Sequence, residues 1–246
     1  TTRKLEGQAL FDFLKNKQIL CFDEMDSEAG LEDLDREKIQ TYLDLRNQEN
    51  FLKKNTLSDF IVNTMLGKVN GNVKLKQVAS LFFAKDPYRW HPQSEVRLVR
   101  FAGMEAVEIV AQQDVRASPL ENIEQAIAFL RENMSKRIVI NSGSAQRTEI
   151  PEYPLTALRE AIVNAVAHRD YYSYDVIQIM LFSDRLEISS PGSLPEGLSK
   201  EYFGKNILRS FFNVILPPTL NGERDISLAT PGCFTSVTPN IFLRSF

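Results

Sequence analysis

The chain has 246 residues, 43% of them hydrophobic and 25% charged, which is the composition of a folded globular protein with one large domain or two small ones. Its formal net charge of -3 argues against a nucleic-acid binder that is held by bulk positive charge. Its two histidines exclude a histidine-rich metal site, and its two cysteines, Cys21 and Cys233, form no CxxC pair.

Nothing in the sequence indicates a membrane or secreted protein. No apolar run approaches the roughly 18 residues that a membrane-spanning helix needs, and residues 1–7 lead into no signal-peptide cleavage site. We therefore expect a cytoplasmic protein with reduced cysteines and no membrane partner. Because the sequence starts with Thr1 and not with methionine, we also expect it to be part of a longer protein.

The first elements in chain order are two amphipathic helices, which the apolar spacing predicts over residues 8–15 and near 34–45. An acidic stretch over residues 23–37 lies between the first helix and the second and extends into the second. Such a charge run is either a solvated linker or a patch that docks a partner, and the first interpretation is the simpler one.

A third helix and a turn follow. Ser58 is a possible N-cap, and the helix is expected to end near Gly67, before an Asn-Gly turn at 70–71. Another helix is predicted over 75–81, and the apolar run over 81–84 then predicts a short buried strand.

The middle of the chain has the pattern of paired strands and a clear helix. Residues 95–101 alternate with a period of two, which predicts a half-buried strand, and residues 107–110 are its expected partner. The loop at 90–92 is either packed or part of a binding site. Ser118-Pro119 opens the next helix, and a strand is predicted over 136–141.

The segment 153–171 carries the most information. Pro154 suits the first turn of a helix, and at about 100° per residue one side of that helix collects Leu155, Leu158, Ile162, Ala165 and Val166. On the opposite side, Glu160, Asn164 and His168 recur at every fourth residue. Spacing alone favours the wet face of an amphipathic helix. The chemical alternative makes Glu160 a general base on a water and Asn164 a Mg²⁺ ligand.

A β-hairpin is predicted after this helix. Residues 176–182 and 185–189 form its strands around a turn at 183–184, and a Pro-Gly loop follows. Gly192 lets the backbone approach a ligand closely, although any sharp turn needs such a residue as well.

Several motifs in this half of the chain resemble one large prokaryotic family in order and spacing. The matching segments are Tyr153-Pro154, Ala157-Leu158-Arg159-Glu160-Ala161, Asn164-Ala165, His168-Arg169-Asp170-Tyr171, Asp184-Arg185-Leu186-Glu187-Ile188 and Pro191-Gly192-Ser193-Leu194-Pro195. They resemble transcriptional regulators and "ATP-dependent DNA helicase RecG-related" proteins. That family pairs an AlbA-like, Schlafen-type DNA-binding domain with a GHKL-like ATP-binding domain, and the resemblance covers residues 5–205.

The resemblance implies an α+β fold in two parts. Residues 1–117 would be the C-terminal end of the AlbA-like region plus a small α/β middle region. Residues 118–246 would be a GHKL-like, Bergerat-type α/β sandwich. Residues 211–246 diverge from the family and carry no Gly-x-Gly lid, which leaves the completeness of the sandwich open.

Similarity to GHKL ATPases also implies a set of site residues. Glu160 would be the catalytic base and Asn164 the Mg²⁺ ligand, and Asn164, His168, Ser190 and Gly192 would bind ATP. Ser190 stands where the family has the Asp that binds the adenine amino group. A hydroxyl accepts a hydrogen bond less strongly than a carboxylate, which puts adenine recognition in doubt. The implied cofactors are ATP and Mg²⁺.

Three functions remain open from the sequence. The first is a nucleotide-responsive transcriptional regulator that acts as a homodimer and binds DNA through a domain outside this chain. The second is a non-catalytic dimerisation or interaction scaffold that has lost ATP binding. The third is a Mg²⁺-dependent ATP hydrolase that couples hydrolysis to work on DNA. Glu160 and Asn164 favour the first or the third over the scaffold, whereas Ser190 and the missing lid favour the scaffold over the hydrolase.

Overall fold

The computed structural model describes residues 6–16, 19–70, 72–140, 147–192 and 213–216. The chain divides into two compact units, Thr1–His91 and Pro92–Phe246. This division differs from the boundary between residues 117 and 118 that the sequence suggested. The reason is that the strands before residue 117 pair with a strand that follows it, so they belong to the sheet of the second unit.

The described part of the first unit is mainly helical. Its helices are α1 (Gln8–Asn16), α2 (Arg36–Leu45), α3 (Phe51–Lys54), α4 (Leu57–Asn63), α5 (Gln77–Phe83) and α6 (Pro87–Trp90). Short 3-10 turns lie at Phe22–Glu24 and Leu31–Asp33, and strands β1 (Gly67–Asn70) and β2 (Asn72–Leu75) form a hairpin. The helices predicted over 8–15 and 34–45 are confirmed as α1 and α2.

Two details of the first unit differ from the sequence prediction. Thr56, not Ser58, is the N-cap of α4: its hydroxyl accepts from the Asp59 N–H, and the Asp59 carboxylate accepts from the Thr56 N–H at 2.7 Å. The strand predicted over 81–84 is wrong, because residues 81–83 belong to α5. That helix is buried over most of its surface, and a short buried helix has the same continuous apolar run as a buried strand.

Aromatic side chains join three helices in the core of the first unit. Tyr42 of α2, Phe60 of α4 and Phe83 of α5 meet edge to face, with ring centroids 5.4 to 5.9 Å apart. Phe60 is fully buried and the other two are nearly so. Such rings contribute both a large buried apolar area and favourable edge-to-face electrostatics.

The second unit combines a mixed sheet with two longer helices. Its described elements are β3 (Val96–Phe101), β4 (Ile109–Val115), α7 (Pro119–Asn133), β5 (Lys136–Ile140), β6 (Arg147–Pro151), α8 (Leu155–Ala167), β7 (Ile177–Leu181), β8 (Leu186–Ser189) and β9 (Asn213–Leu216). Five strands form a sheet in the order β4-β3-β7-β8-β9, and β5 and β6 form a separate antiparallel pair. Within the larger sheet β3 and β7 are parallel and the other neighbours are antiparallel. The predicted α+β class is confirmed.

Helices α7 and α8 pack on one face of the five-stranded sheet. Leu98 of β3, Ile179 of β7 and Ile188 of β8 are neighbours across the strands and are fully buried with Leu130 of α7 and Ile162 of α8. Because side chains alternate along a strand, the residues between them face away from the helices. Across the described ranges, no helix is long and apolar enough to cross a membrane.

Candidate functional site

Helix α8 carries most of the predicted site. It begins directly after Pro154 and ends at Ala167, and the His168 N–H donates to the Asn164 carbonyl at 3.0 Å. Its buried residues are Leu158, Ala161, Ile162, Ala165 and Val166. Leu155 is only partly buried but packs against the same core. The predicted apolar face of this helix is therefore confirmed.

The predicted polar stripe of α8 lies at the edge of this core. Glu160, Asn164 and His168 are each partly buried, so none of them lies in bulk solvent. Burial raises the pKa of the Glu160 carboxyl and lowers the pKa of His168. Among the described residues, neither the Glu160 carboxylate nor the Asn164 side-chain amide has a hydrogen-bond or ionic partner.

The segment after β8 is fastened to the C-terminal end of α8. The Ser190 hydroxyl donates to the Ala165 carbonyl at 2.8 Å, and the Asp170 N–H donates to the Pro191 carbonyl at 2.8 Å. Gly192 has φ +146°, a conformation that residues with a side chain rarely adopt. The structure therefore brings the two predicted segments together. The hydroxyl proton of Ser190 is already used by the fold, which leaves only its oxygen lone pairs for a ligand.

The buried arginine of the His-Arg-Asp-Tyr motif holds the loop between α8 and β7. Arg169 is 5% exposed, and its Nη2 donates to the carbonyls of Ser173 at 3.0 Å and Asp175 at 2.6 Å. Its guanidinium carbon lies 5.1 Å from the centre of the Tyr171 ring. Desolvation lowers the pKa of Arg169, and among the described residues its Nε and Nη1 have no hydrogen-bond partner. Arg169 therefore orders the loop between α8 and β7.

A second motif arginine ties two turns of the sheet together. Arg185 pairs with Asp184 and Glu187, and its Nη1 also donates to the Met104 carbonyl at 2.9 Å. Its guanidinium lies over the Phe182 ring at 3.9 Å from the centroid. The β3–β4 turn is thereby fixed to the β7–β8 turn. Much of the motif that carries the resemblance thus maintains the fold.

The structure also contains a pocket that sequence analysis did not identify. It measures about 430 Å³, and of the predicted site residues only Ser190 lines it. Arg97, Gln178 and Ser189 contribute the polar side chains of three neighbouring strands. The sequence signal that could have indicated this pocket is the period-two alternation along these strands. It places all three polar residues on the face of the sheet away from the helices.

Two further predictions bear on ligands. The lid region at 211–246 lies outside the described residues except for β9, and so does the segment 193–210. In the part of the chain that the structure describes, no three His, Cys, Asp or Glu side chains form a group that could hold a metal ion. The resemblance implies a single protein ligand for Mg²⁺, the side-chain amide of Asn164. A site with one amide ligand contains no such group of three side chains.

Comparison with known proteins identifies a similar fold. No protein-family model matches the chain, and no curated protein matches it. Among solved structures, the DIP2311 protein from Corynebacterium diphtheriae is similar to this chain with a TM-score of 0.57 and 18% sequence identity. The match covers 78% of this chain and 37% of the DIP2311 protein, so the chain spans little more than a third of that protein. At this level of identity the likeness shows the fold alone.

Proposed function

We propose that this chain is the nucleotide-responsive part of a transcriptional regulator, with ATP and Mg²⁺ bound along α8. The observation that carries the proposal is the pair Glu160 and Asn164. The two residues lie one helical turn apart, both are partly buried, and the described residues offer neither side chain a partner. We infer that a bound ligand supplies the partners of both side chains.

Each residue of the pair suits one task in this proposal. Burial raises the pKa of Glu160, and a more basic carboxylate is better at taking a proton from an attacking water. Asn164 would hold Mg²⁺ through its side-chain oxygen, since this ion takes few protein ligands and keeps most of its waters. When bound, the ion would neutralise phosphate charge. His168 and Gly192 would lie at the nucleotide, and Ser190 would accept a hydrogen bond from adenine.

The regulatory part of the proposal rests on parts outside this chain. DNA would be bound by another domain of a longer protein, and a homodimer would transmit the change that nucleotide binding causes. A ligand shifts such an equilibrium only through a difference in its affinity for the two states. If that difference exists, the dimer of the ATP-bound chain differs from that of the ligand-free chain.

One observation favours the alternative, a non-catalytic scaffold. The Ser190 hydroxyl, in the position of the family's adenine-binding Asp, donates its proton to the Ala165 carbonyl at 2.8 Å. This residue strengthens the junction of β8 with α8 and offers adenine a weaker acceptor than a carboxylate would. A scaffold would keep the dimer and the fold but would show no response to ATP.

The two functions are separated by thermal denaturation with and without Mg·ATP. A ligand that binds only the folded chain stabilises it by about 2.7 kcal/mol at a hundredfold excess over Kd. The regulator proposal expects this stabilisation in the wild type and in Glu160→Gln, but a much smaller one in Asn164→Ala. Glu132→Gln is the matched control, because Glu132 is an exposed carboxylate on α7.

Hydrolysis tests the role of Glu160 separately. If the chain hydrolyses ATP, the rate of hydrolysis should fall by roughly a hundredfold or more in Glu160→Gln, because the general base is lost. The rate should be unchanged in Glu132→Gln. Equal hydrolysis by the wild type and Glu160→Gln would contradict the assignment of the base. If Mg·ATP does not stabilise the wild type, the nucleotide proposal is wrong and the scaffold is favoured.

A further inference from the structure

A continuous polar row crosses the face of the five-stranded sheet that lies away from α7 and α8. The strand register pairs Asp114 with Arg97, Arg97 with Gln178, and Gln178 with Ser189, so these residues follow one another across β4, β3, β7 and β8. In the next row on the same face the register pairs Gln112 with Val99, Val99 with Met180, and Met180 with Glu187, so its two central members are apolar. The centre of the first row is therefore polar, whereas the centre of the second is apolar.

The pocket of about 430 Å³ opens over this row. Arg97, Gln178 and Ser189 form its floor, and its rim consists of Tyr174, Asp175, Val176, Ser190 and Pro191. The volume suits a ligand with one or two small rings. Glu160, Asn164 and His168 do not line the pocket, so it is distinct from the stripe on α8.

The floor of the pocket is held in place by ion pairs. The Nε of Arg97 donates to Asp114 at 3.0 Å, and its Nη2 donates to Glu95 at 3.1 Å. Glu95 is 4% exposed and also accepts from the Nε of Arg116 at 2.7 Å. Because two sides of its guanidinium are engaged, Arg97 is fixed before any ligand arrives, which lowers the entropic cost of binding.

The rim is fixed as well. Arg169 donates to the carbonyl of Asp175 at 2.6 Å, and the Asp170 N–H donates to the carbonyl of Pro191 at 2.8 Å. Two rim residues are therefore hydrogen-bonded to the segment that directly follows α8. Arg97 in the floor and two residues of the rim are thus ordered before a ligand binds.

Charge and shape restrict the ligand. The positive charges of Arg97 and Arg116 are balanced by Glu95 and Asp114, and Asp175 adds a negative charge at the rim. A phosphate would gain little in such surroundings. The Gln178 amide has no hydrogen-bond partner among the described residues, and it offers one donor edge and one acceptor edge.

The rim also carries an aromatic surface. The Tyr174 ring is 87% exposed, and an exposed ring beside a polar pocket is a platform on which a planar ligand can stack. We propose that this pocket binds the base of a neutral nucleoside, with the base stacked on Tyr174 and its hydrogen-bonding edge on the Gln178 amide. This site shares Ser190 with the proposed ATP site, but the proposal does not depend on Glu160 or Asn164, which do not line the pocket.

Calorimetric titration of the chain with adenosine, guanosine, cytidine and uridine tests the proposal. At least one nucleoside should bind, and Tyr174→Ala and Gln178→Leu should each weaken that binding about tenfold. Met104→Ala is the matched control, because Met104 is 63% exposed in the same unit and does not line the pocket. A single-stranded oligonucleotide added as competitor shows whether the base belongs to a free nucleoside or to a strand. Displacement of the nucleoside would indicate a strand.

Three results would overturn the proposal: no nucleoside binds, both pocket variants bind as tightly as the wild type, or His168→Ala, on α8 outside the pocket, abolishes the binding. The third result would place the nucleoside at α8 and not in this pocket. Circular dichroism of each variant confirms that it is folded. Tyr174 is too exposed for its truncation to disturb the core.

Discussion

Acid should destabilise the first unit through one buried histidine. His91 is 1% exposed, and its Nε2 lies 2.8 Å from the Ser80 hydroxyl, which also contacts the Ser27 hydroxyl at 2.9 Å. The Phe22 ring meets the imidazole edge to face at 5.8 Å. A proton on this ring would put a charge among apolar and neutral hydroxyl groups. Burial accordingly lowers the pKa of His91 from 6.5 to about 4.

The size of the effect follows from linkage between protonation and folding. Because the folded-state pKa lies below the unfolded one, the neutral ring contributes its full stability above the unfolded value of about 6.5. That contribution is lost progressively as the pH falls from about 6.5 to the folded value of about 4. The complete loss is about 3 kcal/mol, and about 2.5 kcal/mol of it should be gone by about pH 4.5.

Urea denaturation followed by tryptophan fluorescence measures this loss of stability in the first unit. The chain has one tryptophan, Trp90, which is the neighbour of His91 in the first unit. His91→Gln is the comparison, since an amide can still bond to the Ser80 hydroxyl but cannot take up a proton. Carboxylates titrate in both proteins, so the difference between them isolates His91. Identical pH dependence in the two proteins would refute the reasoning.

Three smaller changes test the backbone and the caps. Gly192→Ala should lower the stability of the second unit by about 1 to 3 kcal/mol, because Gly192 has φ +146°. Gly103 has open space around it, so Gly103→Ala should have little effect on the melting temperature of the same unit. Thr56→Ala should cost about 1 kcal/mol in urea denaturation and Ser58→Ala much less, since Thr56 is the cap; the reverse order would restore Ser58 as the cap. Ser190→Ala should cost about 1 kcal/mol and Ser190→Asp more, because a carboxylate cannot donate to the helix carbonyl; a stabilised Ser190→Asp chain would contradict this.

The elements that the sequence predicted well are those whose pattern is local. The α7 start at Ser118 follows from a capping box, in which the Glu121 carboxylate accepts from the Ser118 N–H at 2.9 Å. The face of α8 follows from helical periodicity, and β3 follows from alternation. The segment 81–84 was predicted wrongly because burial on all sides removes the periodicity that separates a helix from a strand.

The candidate sites, too, could be predicted only where their residues are joined by a local pattern. Glu160 and Asn164 could be paired from the sequence because one helical turn joins them. The row from Asp114 through Arg97 and Gln178 to Ser189 could not, because it depends on a parallel pairing of β3 with β7 across two helices. Strand register of this kind is set by the packing of the whole sheet and not by any local motif.

Ser190 belongs to both proposed sites. Its hydroxyl donates to the Ala165 carbonyl near the end of α8, and the same residue lines the pocket on the opposite face of the sheet. An Asp here would offer adenine a stronger acceptor, but it would face that carbonyl with a second acceptor and leave the two repelling each other. A serine at this position therefore strengthens the junction of β8 with α8. Since Pro191 is fixed to the same junction through the Asp170 N–H, one segment positions the residues of both proposed sites.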